Sequence, residues 1–133
     1  MIQVNGNRYL LDSNIIIALF GGDQGVLMQA SKAEEVFIAS IVVGELYYGA
    51  QKSSKRQTNV ARVDRLASAN TILSCDQETA RWYGQTKNEL KEKGRPIPEN
   101  DIWIAALARQ YHLILVTRDK HFSEINDLRL EAW

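Results

Sequence analysis

Along the chain, short apolar runs alternate with longer stretches whose apolar residues recur at helical spacing. Residues 8–11 read as a first strand ending at Asp12, and 13–20 as a helix stopped by Gly21-Gly22, a strong backbone breaker. Residues 24–35 carry Val26, Leu27 and Ala30 on one side and predict a second helix. The β-rich run 36–39 predicts a second strand, and Ser40 suits the N-cap of a helix over 41–51. Residues 55–69 place Val60, Val63, Leu66 and Ala67 at helical spacing, with Lys55, Arg56, Arg62 and Arg65 on other faces. A third strand is read at 71–74. Asp76 then caps a long polar helix that runs to Lys93 and stops at Gly94 and Pro96. Residues 98–111 form an amphipathic helix around Trp103, and Leu113-Ile114-Leu115-Val116 is the clearest strand. A short last strand is expected near 128–130.

Strands alternating with helices predict a parallel sheet covered on both faces. The uninterrupted apolar strand 113–116 agrees, because a strand buried on both sides loses its in-out alternation. The expected fold class is α/β: a three-layer α/β/α domain around a central, mostly parallel sheet of four or five strands. With 133 residues and no repeat, linker or low-complexity tract, residues 1–133 are read as a single domain. Cys75 is the only cysteine, which excludes an internal disulfide and a Cys-rich zinc site and fits a cytoplasmic location. The longest apolar run, 15–20, is far too short for a membrane helix. Asp12 and Asn14 interrupt the N-terminal region, so no signal peptide is read. Lys+Arg and Asp+Glu are both 16, so a nucleic-acid partner has to be recognised by local rather than overall charge.

In open α/β sheets, ligands bind beyond the carboxyl ends of the strands. Asp12 directly follows the first strand, and Asp119 comes three residues after Val116. Glu45 follows Val42 by three positions on the helix leaving the second strand, and shares its side if Val42 faces the sheet. Asp101 lies in the opening turn of the helix that precedes the 113–116 strand. Local roles exist for three of the four. Asp12 fits a helix cap, Asp101 suits the positive end of a helix dipole, and Asp119 fits a turn or the cap of a helix through 122–125. Glu45, among Ile41-Val42-Val43-Gly44 and Leu46-Tyr47-Tyr48, is harder to explain locally, since a carboxylate in apolar surroundings is costly unless paired or metal-bound. Converging carboxylates repel, so they take up protons or a cation. Oxygen-only ligands suit Mg²⁺ or Mn²⁺, and such an ion suits phosphodiester hydrolysis. The two histidines, His112 and His121, have no matching Ser or Cys motif; His121 is open to a substrate contact, with a surface residue without a role the preferred reading.

The segments Leu11-Asp12-Ser13-Asn14, Gly44-Glu45-Leu46-Tyr47-Tyr48-Gly49-Ala50, Asn100-Asp101-Ile102-Trp103-Ile104-Ala105-Ala106 and Val116-Thr117-Arg118-Asp119 occur in that order. Together they resemble the PIN-domain ribonucleases, and more narrowly the VapC toxins of toxin–antitoxin pairs, over nearly the whole chain. The resemblance implies that Asp12, Glu45, Asp101 and Asp119 hold one or two Mg²⁺ or Mn²⁺ ions, Asp12 and Asp101 being the most consistent ligands. It implies that Asn14 and Thr117 orient the acids, with Asn100 beside the third. Asp-Ser-Asn stands at 12–14 where Asp-Thr-Asn is more usual, a change that keeps the hydroxyl. An endoribonuclease is implied, cutting structured RNA such as tRNA, blocked by a VapB-like antitoxin and forming a homodimer.

Between residues 52 and 65 lie Lys52, Lys55, Arg56, Arg62 and Arg65 against one acid, Asp64. Such an excess beside an acidic pocket suits RNA backbone, and Lys52, Lys55, Arg56 and Arg118 are the candidate RNA contacts. Lys87, Lys91, Lys93 and Arg95 form a second cluster, diluted by Glu89 and Glu92, for which a solvated helix face is the preferred reading. Tyr47, Tyr48 and Trp82 suit a dimer or antitoxin surface, or core packing. Two other functions are weighed. A haloacid-dehalogenase-type phosphatase needs a second Asp two residues after the first, where this chain has Asn14. A non-catalytic RNA- or protein-binding module of the same fold is the remaining alternative, and the intact acid set argues against it.

Overall fold

Five parallel strands in the order β3-β2-β1-β4-β5 form the centre of the molecule. The structure is a computed structural model that describes residues 8–133; residues 1–7 of the expected domain lie outside the described residues. The strands are β1 (Arg8–Leu11), β2 (Glu35–Ala39), β3 (Thr71–Leu73), β4 (Ile114–Val116) and β5 (Leu130–Glu131). Between them run α1 (Ser13–Phe20), α2 (Gln24–Lys32), α3 (Ser40–Lys52), α4 (Arg56–Ala69), α5 (Gln77–Lys93) and α6 (Glu99–Tyr111), and a 3₁₀ turn over Lys120–Glu124 precedes β5. The α/β class holds, and the sheet is wholly parallel.

β1 sits in the middle, with Leu10 opposite Phe37 on one side and Leu115 on the other. Leu10, Ile15, Ile16, Ile38 and Leu115 are fully buried, so the core gathers on this central strand and the helix it feeds. From β1 the chain builds outward through β2 and β3, then returns to add β4 on the opposite side of β1. That reversal opens a crevice between the carboxyl ends of β1 and β4, the usual ligand position in such sheets. α6 is buried along almost its whole length and packs against α5. Arg109, 6% exposed, is neutralised there by Glu89 (2.9 Å) and bonded to Thr86 Oγ1 (2.9 Å).

Several boundaries differ from the sequence reading. α2 stops at Lys32 because Ala33 is extended, and Glu35 joins β2 opposite Arg8, which it pairs with at 3.1 Å. Ser40 is the first residue of α3 rather than its cap; the cap position falls on Ala39, whose methyl group accepts no hydrogen bond. The last strand moves to Leu130–Glu131, where pairing with Leu115 and Val116 sets its register. The helix considered for 122–125 is the 3₁₀ turn Lys120–Glu124. Asp76 caps α5 as read, in a reciprocal capping box with Thr79. Among the described residues, no helix is long and apolar enough to cross a membrane.

Candidate active site

The carboxyl end of β1 is fixed to β4 by the Asp12 N–H, which donates to Val116 O at 2.9 Å. This pairing brings Asp12 beside Thr117, a residue more than a hundred positions away in sequence. Asp12 is 4% exposed. Its Oδ1 accepts from the Ser13 N–H (2.8 Å), and its Oδ2 from the Thr117 hydroxyl (2.8 Å) and Asn14 Nδ2 (3.4 Å). Burial raises the Asp12 pKa above the ordinary carboxylate value, while the Thr117 and Ser13 hydrogen bonds oppose that rise. Thr117 Oγ1 also accepts the Asp119 N–H at 3.0 Å, and Asn14 Oδ1 accepts the Arg118 N–H at 3.2 Å. Thr117 and Asn14 therefore tie the β1 and β4 ends into one polar unit.

α3 carries Glu45 toward this crevice, and the first turn of α6 carries Asp101. Asn100 Nδ2 donates to Glu45 Oε2 at 3.3 Å. The other oxygen, Glu45 Oε1, is buried without a hydrogen-bond partner, an arrangement that is costly unless a cation or proton compensates it. The Asp101 pKa is pushed up to about 6, first by burial and then by Asp12, Asp119 and Glu45, with His121 opposing the shift. The other three acids therefore all act on Asp101. Asp119 Oδ1 accepts the His121 N–H at 2.9 Å and lies 3.1 Å from His121 Nδ1, which is 3.9 Å from Asp101 Oδ2.

Capping and clustering prove compatible. Asp12 caps α1 and Asp119 caps the 3₁₀ turn, each with Oδ1, while both face the same crevice. The donor set is carboxylate oxygen with one imidazole, which fits a hard divalent cation, and the unpaired Glu45 oxygen marks a deficit of positive charge there.

The basic candidates are distributed differently. Lys52, Lys55 and Arg56 lie exposed around the α3–α4 corner, Lys52 Nζ standing 4.5 Å over the Tyr48 ring and Arg56 Nε donating to Gln51 O at 3.0 Å. Arg118 instead joins Asp23 (2.9 Å) to the Trp133 carbonyl (3.0 Å). In the second cluster Lys87 pairs with Glu99 (2.9 Å), and Lys93 donates to Glu124 O (2.6 Å) and Asn126 Oδ1 (2.8 Å). Tyr47 is bonded to Asp64, Trp82 lies under Arg109, and Tyr48 is 65% exposed. A groove of about 520 Å³ runs from Glu45 between α1, α3 and α4, lined by Ile17, Phe20, Gly49, Arg62 and Val63 among others.

His121, read from the sequence as a surface residue, belongs to this cluster. Its signal was its place two residues after Asp119 in the loop leaving β4; only the fold brings it to Asp101. His112 ends α6 in a left-handed conformation (φ 56°), at the opposite end of that helix from Asp101.

Comparison with known proteins gives consistent matches. The PIN domain family matches residues 9–128. Ribonuclease VapC2 of Haemophilus influenzae (strain Rd) is 38% identical over 129 residues, covering 95% of this chain and 98% of that protein. The tRNA(fMet)-specific endonuclease VapC of Salmonella typhimurium (strain LT2) is 37% identical over 129 residues, with the same coverage of 95% and 98%. The solved structure of VapBC2 from Rickettsia felis, bound to a DNA fragment from its promoter, superposes with a TM-score of 0.86 at 34% identity, covering 95% of this chain and 98% of that one.

Proposed function

The chain belongs to the PIN-domain family, among its VapC members, and from that premise we propose that it is a divalent-metal-dependent endoribonuclease serving as the toxin of a toxin–antitoxin pair. The observation that carries the metal-dependent reading is the meeting of four carboxylates from four separate segments, with Glu45 Oε1 buried and unpaired among them. Asp12, Glu45, Asp101 and Asp119 are the residues to hold Mg²⁺ or Mn²⁺. When bound, such an ion supplies Lewis-acid polarisation of the phosphate and a more acidic water.

The protein's own groups do the positioning. Thr117 and Asn14 hold Asp12 in one orientation through Oδ2, and Ser13 fixes its Oδ1. Asn100 holds one Glu45 oxygen and leaves the other directed inward. Lys52, Lys55 and Arg56 supply the positive charge that holds RNA backbone near the acids. Arg118, already committed to Asp23 and the Trp133 carbonyl, braces the Thr117–Asp119 loop. Residues 1–133 act as one nuclease domain.

Structured RNA of the tRNA class is the first substrate to test, since relatives carry the name tRNA(fMet)-specific endonuclease. Relatives also occur as VapBC complexes, and the apolar groove reaching Glu45 suits a segment of a VapB-like antitoxin, which would then cover the acids. Homodimerisation completes the reading. The test is cleavage of end-labelled tRNA by the purified chain. Cleavage with Mg²⁺ or Mn²⁺, its loss in EDTA, and its loss in a folded Asp12→Asn protein are expected. Full activity in EDTA would refute the metal mechanism.

A further inference from the structure

Asp119 caps the 3₁₀ turn that follows β4, and this bends the chain so that His121 returns over the acids. The imidazole is 56% exposed, so its position follows from that cap rather than from core packing. Its Nδ1 lies 3.1 Å from Asp119 Oδ1 and 3.9 Å from Asp101 Oδ2, and one donor atom from each of the three residues falls within 4.8 Å of the others. Around an octahedral cation with bonds of about 2.1 Å, neighbouring ligand atoms stand about 3 Å apart and opposite ones about 4.2 Å. The 3.1 Å separation already matches neighbouring ligand atoms, and the 3.9 Å separation falls between the neighbouring and opposite spacings. A simple ion pair with Asp119 would need no approach to Asp101, which comes from a different helix.

We propose that His121 ligates the divalent cation directly through Nδ1, together with Asp101 and Asp119, and that this nitrogen makes the centre select Mn²⁺ over Mg²⁺. The proposal rests on the metal-dependent reading above and adds a ligand to it. Mg²⁺ is held almost entirely by oxygen, whereas imidazole nitrogen is accepted by the later divalent ions, with Mn²⁺ at the threshold. Among the described residues His112 is the other imidazole, 11 positions beyond Asp101 on the same helix, about 16 Å along its axis. A nitrogen seen at the bound ion is therefore assignable.

The test is to load the full chain with Mn²⁺ and record nitrogen modulation by electron spin-echo spectroscopy, with Mg²⁺ competition measured in parallel. An imidazole coupling in the unmodified chain, lost in His121→Asn, is expected. The Mn²⁺/Mg²⁺ affinity ratio should fall about tenfold or more in that variant. Bound Mn²⁺ without imidazole coupling, or coupling that survives His121→Asn, overturns the assignment while leaving a carboxylate centre intact. A folded chain that takes up no Mn²⁺ at neutral pH overturns both the assignment and the metal-dependent reading beneath it.

Discussion

Asp101→Asn keeps the shape of the side chain and removes one negative charge from a site where four carboxylates meet. The Asp101 carboxyl is shifted from 3.8 up to about 6, by burial first and its acidic neighbours second. A displacement of that size corresponds to at most about 3 kcal/mol. The side chain is 15% exposed at the mouth of a crevice and titrates together with its neighbours, so solvent screening and coupling leave about 1–2 kcal/mol. The sign follows from proton binding. The folded state holds the Asp101 proton more tightly than the unfolded state, so stability is full below the unfolded pKa of 3.8 and is lost as pH rises through about 6. The asparagine variant escapes this loss. In EDTA at pH 8 it should be more stable than the unmodified chain by about 1–2 kcal/mol, a rise of roughly 4–8 °C in Tm. By pH 5 the gap should shrink to about half. Urea denaturation at both pH values reads this directly. Saturating Mn²⁺ should reverse the order, because at 100 times Kd a ligand adds about 2.7 kcal/mol to the protein that binds it. An asparagine variant equal to or weaker than the unmodified chain at pH 8 in EDTA would refute the claim that repulsion and burial strain this site.

Thr117→Val removes the hydroxyl that donates to Asp12 Oδ2 and accepts the Asp119 N–H; Mn²⁺ affinity by calorimetry should fall about 10- to 100-fold while circular dichroism stays native. Arg109→Ala leaves Glu89 and Thr86 without their partner between α5 and α6, and thermal unfolding should show a loss of about 3–5 kcal/mol with no change in metal affinity.

The alternation of strands and helices was legible because each element's period is a local property: the 113–116 run is continuous and the helices carry their 3.6 spacing. The α2 boundary differs from the sequence reading because a tertiary partner decides it. Glu35 is drawn into β2 by pairing with Arg8 across the sheet, a contact 27 residues distant. The β5 register came from Leu115 in the same way.

For the candidate site, the sequence alone determined which acids follow which strand ends, because a parallel sheet puts every strand's carboxyl end on one edge. It also determined that Glu45 sits among apolar neighbours, where an unpaired carboxylate is costly. The contacts between distant segments, by contrast, come from the folded arrangement. The β1–β4 register brings Thr117 onto Asp12, the α3–α6 approach brings Asn100 onto Glu45, and the turn after β4 swings His121 toward Asp101. The fold also pairs Arg118, which stays exposed, with Asp23 and the Trp133 carbonyl. Local periodicity fixes where a side chain sits on its own element, but hydrogen bonds and fields act over a few ångströms. Which distant residues come that close is set only when the sheet closes its register.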